Sequence, residues 1–237
     1  MSRIGIYGGT FNPIHVGHLR AAEEMAEALA LERVLFVPSG TPPHKADEPD
    51  DAIAAADLRL AWTRLATADN PRFAVSDLEV ARGGASYLVD TLTTLRAELG
   101  RSELVFLIGS DAFAEMGAWR APRRLFELAH YAVMVRPPQA AGSLADWLPE
   151  VARGDVEIAA DGRSARHRSA GTWLRLFEIS GFAVSSSEVR QRLQEGRSVR
   201  YLLPEPVRQA VLASGAYEGA LARRSRRTTS CPGGRSA

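Results

Sequence analysis

Short apolar runs and longer stretches with a three-to-four-residue beat take turns along this chain. Residues 4–7, 33–37, 73–76, 104–108, 131–135 and 174–179 are runs of strand length, rich in branched and aromatic side chains, as strands buried on both faces require. Between them, Leu19, Ala22, Met25, Ala26 and Leu29 form one stripe of a helix over residues 16–30, and Leu58, Ala61, Trp62 and Leu65 mark a second over 52–68. A third opens at Ser86, and that residue or a neighbour suits an N-cap. A helical patch holds Trp119 and continues to Leu125 and Leu128, another helix starts at the hydroxyl run around Ser185, and residues 204–214 read as a closing helix. Residues 139–172 show only weak periodicity and read as a surface insertion. The β-α-β opening and the alternation after it predict an α/β fold, a Rossmann-like, doubly wound, mainly parallel sheet with a small helical C-terminal portion. In such sheets ligands sit beyond the carboxyl ends of the strands.

Composition narrows the class. With 237 residues, 46% of them hydrophobic, the chain can bury a sizeable core, and residues 1–220 suit one domain. No apolar run nears the roughly 18 residues that cross a bilayer, and no secretion signal is visible, so a cytoplasmic protein without a membrane partner is expected. Cys231 is alone, which excludes a disulfide framework. Arg223, Arg224, Arg226, Arg227 and Arg235 lie in residues 221–237 with no acid, leaving 24 basic against 28 acidic side chains in the remainder. That basic tail is nearly devoid of apolar residues and reads as disordered and solvated. No nucleic-acid partner is expected from it.

The chemistry starts at Gly8-Gly9-Thr10-Phe11-Asn12-Pro13-Ile14-His15-Val16-Gly17-His18, which reads as strand, glycine turn and helix start. Glycines let backbone amides approach a ligand, and the unpaired N–H groups of a new helix favour an anion such as a triphosphate. His15 and His18, three apart, project on one face near that anion. A metal site is the competing reading, but the pair lacks a cysteine or a third histidine, and His44, His130 and His167 lie in unrelated contexts. Further on, Ser185, Ser186 and Ser187 offer donors to phosphate oxygens and Arg190 adds a cationic fork one turn later. A plain capping box explains Ser-Ser-Ser-Glu equally well. His44 and Lys45, on the loop that follows residues 38–43, are placed to reach a second phosphate, with Arg136 a further candidate. Tyr87 and Trp119 offer faces on which a pyridine ring would stack, or simply fill core. Arg59 either joins this site or faces solvent.

The whole eleven-residue string is more specific than its parts. Its His15-Val16-Gly17-His18 element resembles the HxGH signature of the nucleotidyltransferase superfamily, and the full string is similar to that of the nicotinate-nucleotide adenylyltransferases. The later motifs follow in that family's order: Asp77-x-Glu79-x-x-Arg82-x-Gly84-x-Ser86-Tyr87, then Ile108-Gly109-x-Asp111 with Trp119, then the serine run. The resemblance implies transfer of AMP from ATP to nicotinate mononucleotide, with release of pyrophosphate. It implies ATP contacts from Gly8, Gly9, Thr10, Phe11, Gly109, Asp111, Ser185, Ser186 and Ser187, with His15, His18 and Arg190 as the catalytic set. It assigns the mononucleotide to His44, Lys45, Tyr87, Leu88, Trp119 and Arg136. Mg²⁺ would arrive with ATP and no protein metal site is expected. Three positions depart from the pattern: Val184 and Ser187 stand where Ile and Thr are usual, and Leu88 stands where a Thr is common, which leaves a backbone contact there but no hydroxyl. Acceptors that stay open are nicotinamide mononucleotide, phosphopantetheine and glycerol phosphate, beside a non-catalytic nucleotide-binding role. Oligomeric state is also open, with a homo-oligomer one expectation.

Overall fold

The computed structural model describes residues 2–43, 53–136 and 142–217. Along the chain run β1 (Arg3–Gly9), α1 (Val16–Ala28), β2 (Arg33–Pro38), α2 (Ala56–Thr67), β3 (Phe73–Val75), α3 (Leu78–Arg82), α4 (Leu88–Leu99), β4 (Glu103–Gly109), α5 (Ser110–Glu115), a 3-10 turn (Met116–Ala118) and α6 (Pro122–Leu128). There follow β5 (His130–Val135), α7 (Leu144–Trp147), α8 (Glu150–Arg153), β6 (Val156–Ile158), β7 (Ser164–His167), β8 (Trp173–Glu178), α9 (Ser186–Gln194) and α10 (Glu205–Ser214).

The strands make one sheet in the order β3-β2-β1-β4-β5-β8-β7-β6. From β3 to β8 every pairing is parallel; only the two that add β7 and β6 are antiparallel. Both faces are covered. On one, Leu92, Leu95, Phe113, Leu125 and Phe126 pack on alternate residues of β1, β4 and β5; on the other, Ala22, Met25, Trp62, Val189 and Val207 do the same. This is the doubly wound arrangement, and β1 and β4 are the neighbours at which strand order reverses. The crevice beyond their carboxyl ends is where the glycine loop and Gly109-Ser110-Asp111 emerge. Among the described residues no helix is long and apolar enough to cross a membrane.

Three local expectations need correction and a fourth is made definite. The α2 stripe is turned: Arg59, Trp62, Thr63 and Ala66 face inward, while Leu58 and Leu65 are 36% and 42% exposed. The cause lies outside the helix. Arg59 donates to the carbonyls of Ala54, Thr10 and Gly40 at 2.9, 2.7 and 2.7 Å, and that demand sets the helix's rotation. The N-cap of α4 falls on the neighbour of Ser86. Tyr87 holds that place, because the Ser86 hydroxyl accepts from Gly40 N–H at 2.9 Å. Residues 78–82 form a short helix that the spacing did not announce. Finally, residues 142–172 are no surface insertion. They carry α7, α8, β6 and β7, and they bury Leu144, Leu148, Ala152, Val156 and Ala165 in the core. Strands of three and four residues are too short to show a period.

Candidate functional site

At the end of β1 the chain turns through Thr10 and Phe11 into a helix whose N-cap is His15. Phe11 adopts φ 47° and folds its ring back to within 3.1 Å of where a Cβ on Gly9 would stand. A side chain at Gly9 would therefore displace that ring. The same logic applies inside the HxGH element, where a Cβ on Gly17 would stand 3.0 Å from Val184 and 3.1 Å from the His15 ring. Both glycines serve close packing around the imidazoles.

The imidazoles stack on each other, their centroids 3.7 Å apart and their planes 28° from parallel. His18 meets the Phe11 and Tyr7 rings edge-on at 5.2 and 6.1 Å. Its Nδ1 accepts from the His15 backbone N–H at 3.2 Å, so the neutral ring carries its proton on Nε2, aimed away from the backbone. Burial, with the Arg136 guanidinium adding to it, lowers the His15 pKa to about 4. Burial, then His15, then Arg136 hold His18 well below the usual histidine range, and burial pushes Tyr7 up to about 12. At neutral pH this corner presents uncharged donors.

The serine run reaches the same loop from the far end of the chain. Ser185 caps α9, its hydroxyl accepting from Glu188 N–H at 3.1 Å. The Ser186 hydroxyl donates to the Pro13 carbonyl at 2.9 Å. Arg190, buried, donates to the Asn12 carbonyl at 2.9 Å and to Ser187 Oγ at 3.1 Å. Asn12 is itself pinned, its Oδ1 accepting from Ala54 N–H and Tyr217 Oη. Ser185 thus caps α9 without a reciprocal capping box, and Arg190 is tied to the loop that leads to the two imidazoles.

On the other side of the crevice, Gly109 is the N-cap of α5 and Asp111 lies in its first turn, 3.6 Å from Arg136. The loop after β2 bonds back to this region. Ser39 N–H donates to Gly9 O at 2.9 Å, and Ser86 N–H to Thr41 O at 2.9 Å. These bonds bring Tyr87 and Leu88, at the start of α4, to the same end of the sheet. Trp119, half-buried, follows the 3-10 turn after α5. His44 and Lys45 lie outside the described residues. Among the described residues only two buried side-chain atoms lack a hydrogen-bond partner, His15 Nδ1 and Ser39 Oγ. Both belong to loops at this end, and such atoms, costing about 1–3 kcal/mol each, are what functional sites tolerate.

The sequence matches the cytidylyltransferase-like family over residues 6–192. It is 42% identical over 216 residues to a protein of Trichlorobacter lovleyi named "Probable nicotinate-nucleotide adenylyltransferase", covering 91% of this chain and 99% of that one. The chain belongs to the nicotinate-nucleotide adenylyltransferase family. A relative of the same name from Chromohalobacter salexigens is also 42% identical, over 91% of this chain and 96% of its own. The fold agrees with that of the Plasmodium falciparum nicotinic acid mononucleotide adenylyltransferase solved in complex with NaAD. Their TM-score is 0.70 at 16% identity, over 93% of this chain and all of the other. Within this adenylyltransferase frame, one residue left open by the sequence is settled in position and another escaped it. Arg59, left open between this site and solvent, is a buried clamp between the loops after β1 and β2. Arg120, next to Trp119 in the sequence, lies with its guanidinium 4.7 Å over the Tyr87 ring, and no motif marked it.

Proposed function

We propose that this adenylyltransferase moves AMP from ATP onto the phosphate of nicotinate mononucleotide, releasing pyrophosphate and forming nicotinate adenine dinucleotide. The observation that carries the reading is that Arg190 and both imidazoles are tied to one loop, at the carboxyl ends of the two strands where the sheet reverses. Gly8, Gly9, Thr10 and Phe11 would line the triphosphate, with the open N–H groups at the starts of α1 and α9. Gly109 and Asp111 would take the ribose, and Ser185 to Ser187 would shape the far wall.

The attacking atom is an oxygen of a phosphate monoester whose second pKa is about 6, so near pH 7 no general base is required. The protein's task is to align two mutually repelling anions and to stabilise charge growing on the α-phosphate and the departing pyrophosphate. The uncharged Nε2–H of His18 serves as a donor, and an arriving phosphate raises the affinity of both imidazoles for a proton, because a nearby opposite charge favours the charged form. Arg190 keeps its geometry through Asn12 and Ser187.

The donor set also bears on Mg²⁺. Among the described residues no three His, Cys, Asp or Glu side chains gather as a metal cage, and the groups around the loop donate hydrogens rather than offer oxygens. Such a set fits a polyphosphate that carries its own cation, with Asp111 the nearby carboxylate; bound there, Mg²⁺ would neutralise charge on the triphosphate. Tyr87, Leu88 and Trp119 would hold the nicotinate ring, and Arg136, with His44 and Lys45, its phosphate.

The test is pyrophosphate release from ATP with nicotinate mononucleotide and nicotinamide mononucleotide run side by side. Release with the acid exceeding that with the amide is the expected result. ATP binding without pyrophosphate release on either would overturn the reading in favour of a non-catalytic nucleotide binder.

A further inference from the structure

Arg120 has no part in the site as drawn so far, yet it sits at the place where the ring of the mononucleotide is put. It follows Trp119 directly, on the segment that leaves the 3-10 turn, whose Met116 carbonyl accepts from Trp119 N–H at 3.1 Å. From there its guanidinium crosses to α4 and lies 4.7 Å over the Tyr87 ring. Such a contact holds the flat fork in register with an aromatic face while leaving its in-plane N–H groups available.

The carboxylate nearest to it does not saturate it. Asp90 approaches to 3.9 Å, too far for a hydrogen bond, and both side chains are about half exposed. Asp90 therefore orients Arg120 without occupying it. Tyr87 is the N-cap of α4, a twelve-residue helix, so the first-turn N–H groups of Leu88 and Val89 have no partner within the helix and add positive potential beside the same ring. Helix start and guanidinium thus bring donors to one aromatic face, with Asp90 behind the guanidinium.

We propose that Arg120 is a specificity-determining residue, which makes this site prefer a pyridine ring bearing a carboxylate over one bearing a carboxamide. The inference rests on the assignment of the mononucleotide ring to Tyr87 and Trp119. A carboxylate there accepts from the guanidinium fork as a charge-assisted pair. A carboxamide turns one end, an NH₂, toward a guanidinium fork that has no acceptor to offer it, and rejection of that end adds to the attraction of the acid.

The experiment compares kcat/KM for the two mononucleotides, at saturating ATP, in the wild type, Arg120→Ala and Arg120→Lys. Arg120→Ala is expected to lower the acid-to-amide ratio about tenfold, the scale of one lost charge-assisted contact, through KM for the acid. Turnover of the amide should stay within about twofold. Arg120→Lys should restore part of the ratio, because it returns the charge without the fork. Equal loss on both substrates would mean a structural role and would overturn the inference, as would an unchanged ratio. A wild type that releases no pyrophosphate with either ring would instead remove the underlying functional reading, and this inference with it.

Discussion

At the scale of single residues, the imidazole pair decides most. Removing the donor His18 by His18→Ala should lower kcat roughly a hundredfold or more, the loss expected for one preorganised transition-state donor; steady-state pyrophosphate release measures it, and unchanged turnover would end that role. The pair also has a cost in acid. His15, and His130 at the opposite end of the sheet, have pKa values of about 4, and His18 is held low as well, in each case first by burial. Their folded values lie below the unfolded value of about 6.5. The stability they permit is therefore fully present above that pH and is lost as pH falls toward 4, because the unfolded chain takes up protons that the native one refuses. Urea midpoints between pH 7.5 and 4.5 should decline, and His130→Phe, which removes one such group away from the site, should flatten the decline. Both imidazoles were legible in the sequence because their spacing and the glycine between them are local. That His18 Nδ1 would be taken by the backbone of His15, fixing the tautomer, was not, since it depends on the turn actually formed.

At the scale of elements, α2 shows why a periodic stripe can mislead. Leu58, Ala61 and Leu65 repeat at helical spacing, yet the helix turns Arg59 inward because three carbonyls of two separate loops, left without that guanidinium, would be buried unpaired. Arg59→Leu should cost about 2–5 kcal/mol by urea unfolding, the range for stripping a buried charged donor from its acceptors. Nothing within α2 announces those carbonyls, so no reading of periodicity could have found them. Gly40 carries a similar long-range requirement: a Cβ there would stand 2.6 Å from the Glu79 carbonyl. Gly40→Ala should push the loop after β2 off α3 and raise KM for the mononucleotide more than KM for ATP. The serine run is the opposite case. A cap and a following arginine are written in adjacent residues, and α9 forms where they stand.

For the molecule as a whole, the strand pattern was readable from apolar runs because a parallel sheet covered on both faces needs unbroken ones, and β1, β4 and β5 are such runs. The antiparallel end of the sheet was hidden, because β7 takes its place from pairing with β8, and β6 from pairing with β7, rather than from any signal of their own. A ligand that bridges the loop after β1 and α9 should stabilise the entire fold. Saturating ATP, at about a hundred times its Kd, should add roughly 2.7 kcal/mol of stability, seen as a rise in Tm, and Arg190→Ala should shrink that rise.

The bond from Ser186 to Pro13 spans 173 positions of sequence, and this separation reaches into the protein's birth. At about 5–20 residues per second, a ribosome that has finished the glycine loop needs roughly ten to thirty seconds more before the serine helix follows. During that interval the nascent chain holds its histidines without Arg190, and a translation product halted before α9 would carry the family's most recognisable motif while lacking the helix that ties down its loop.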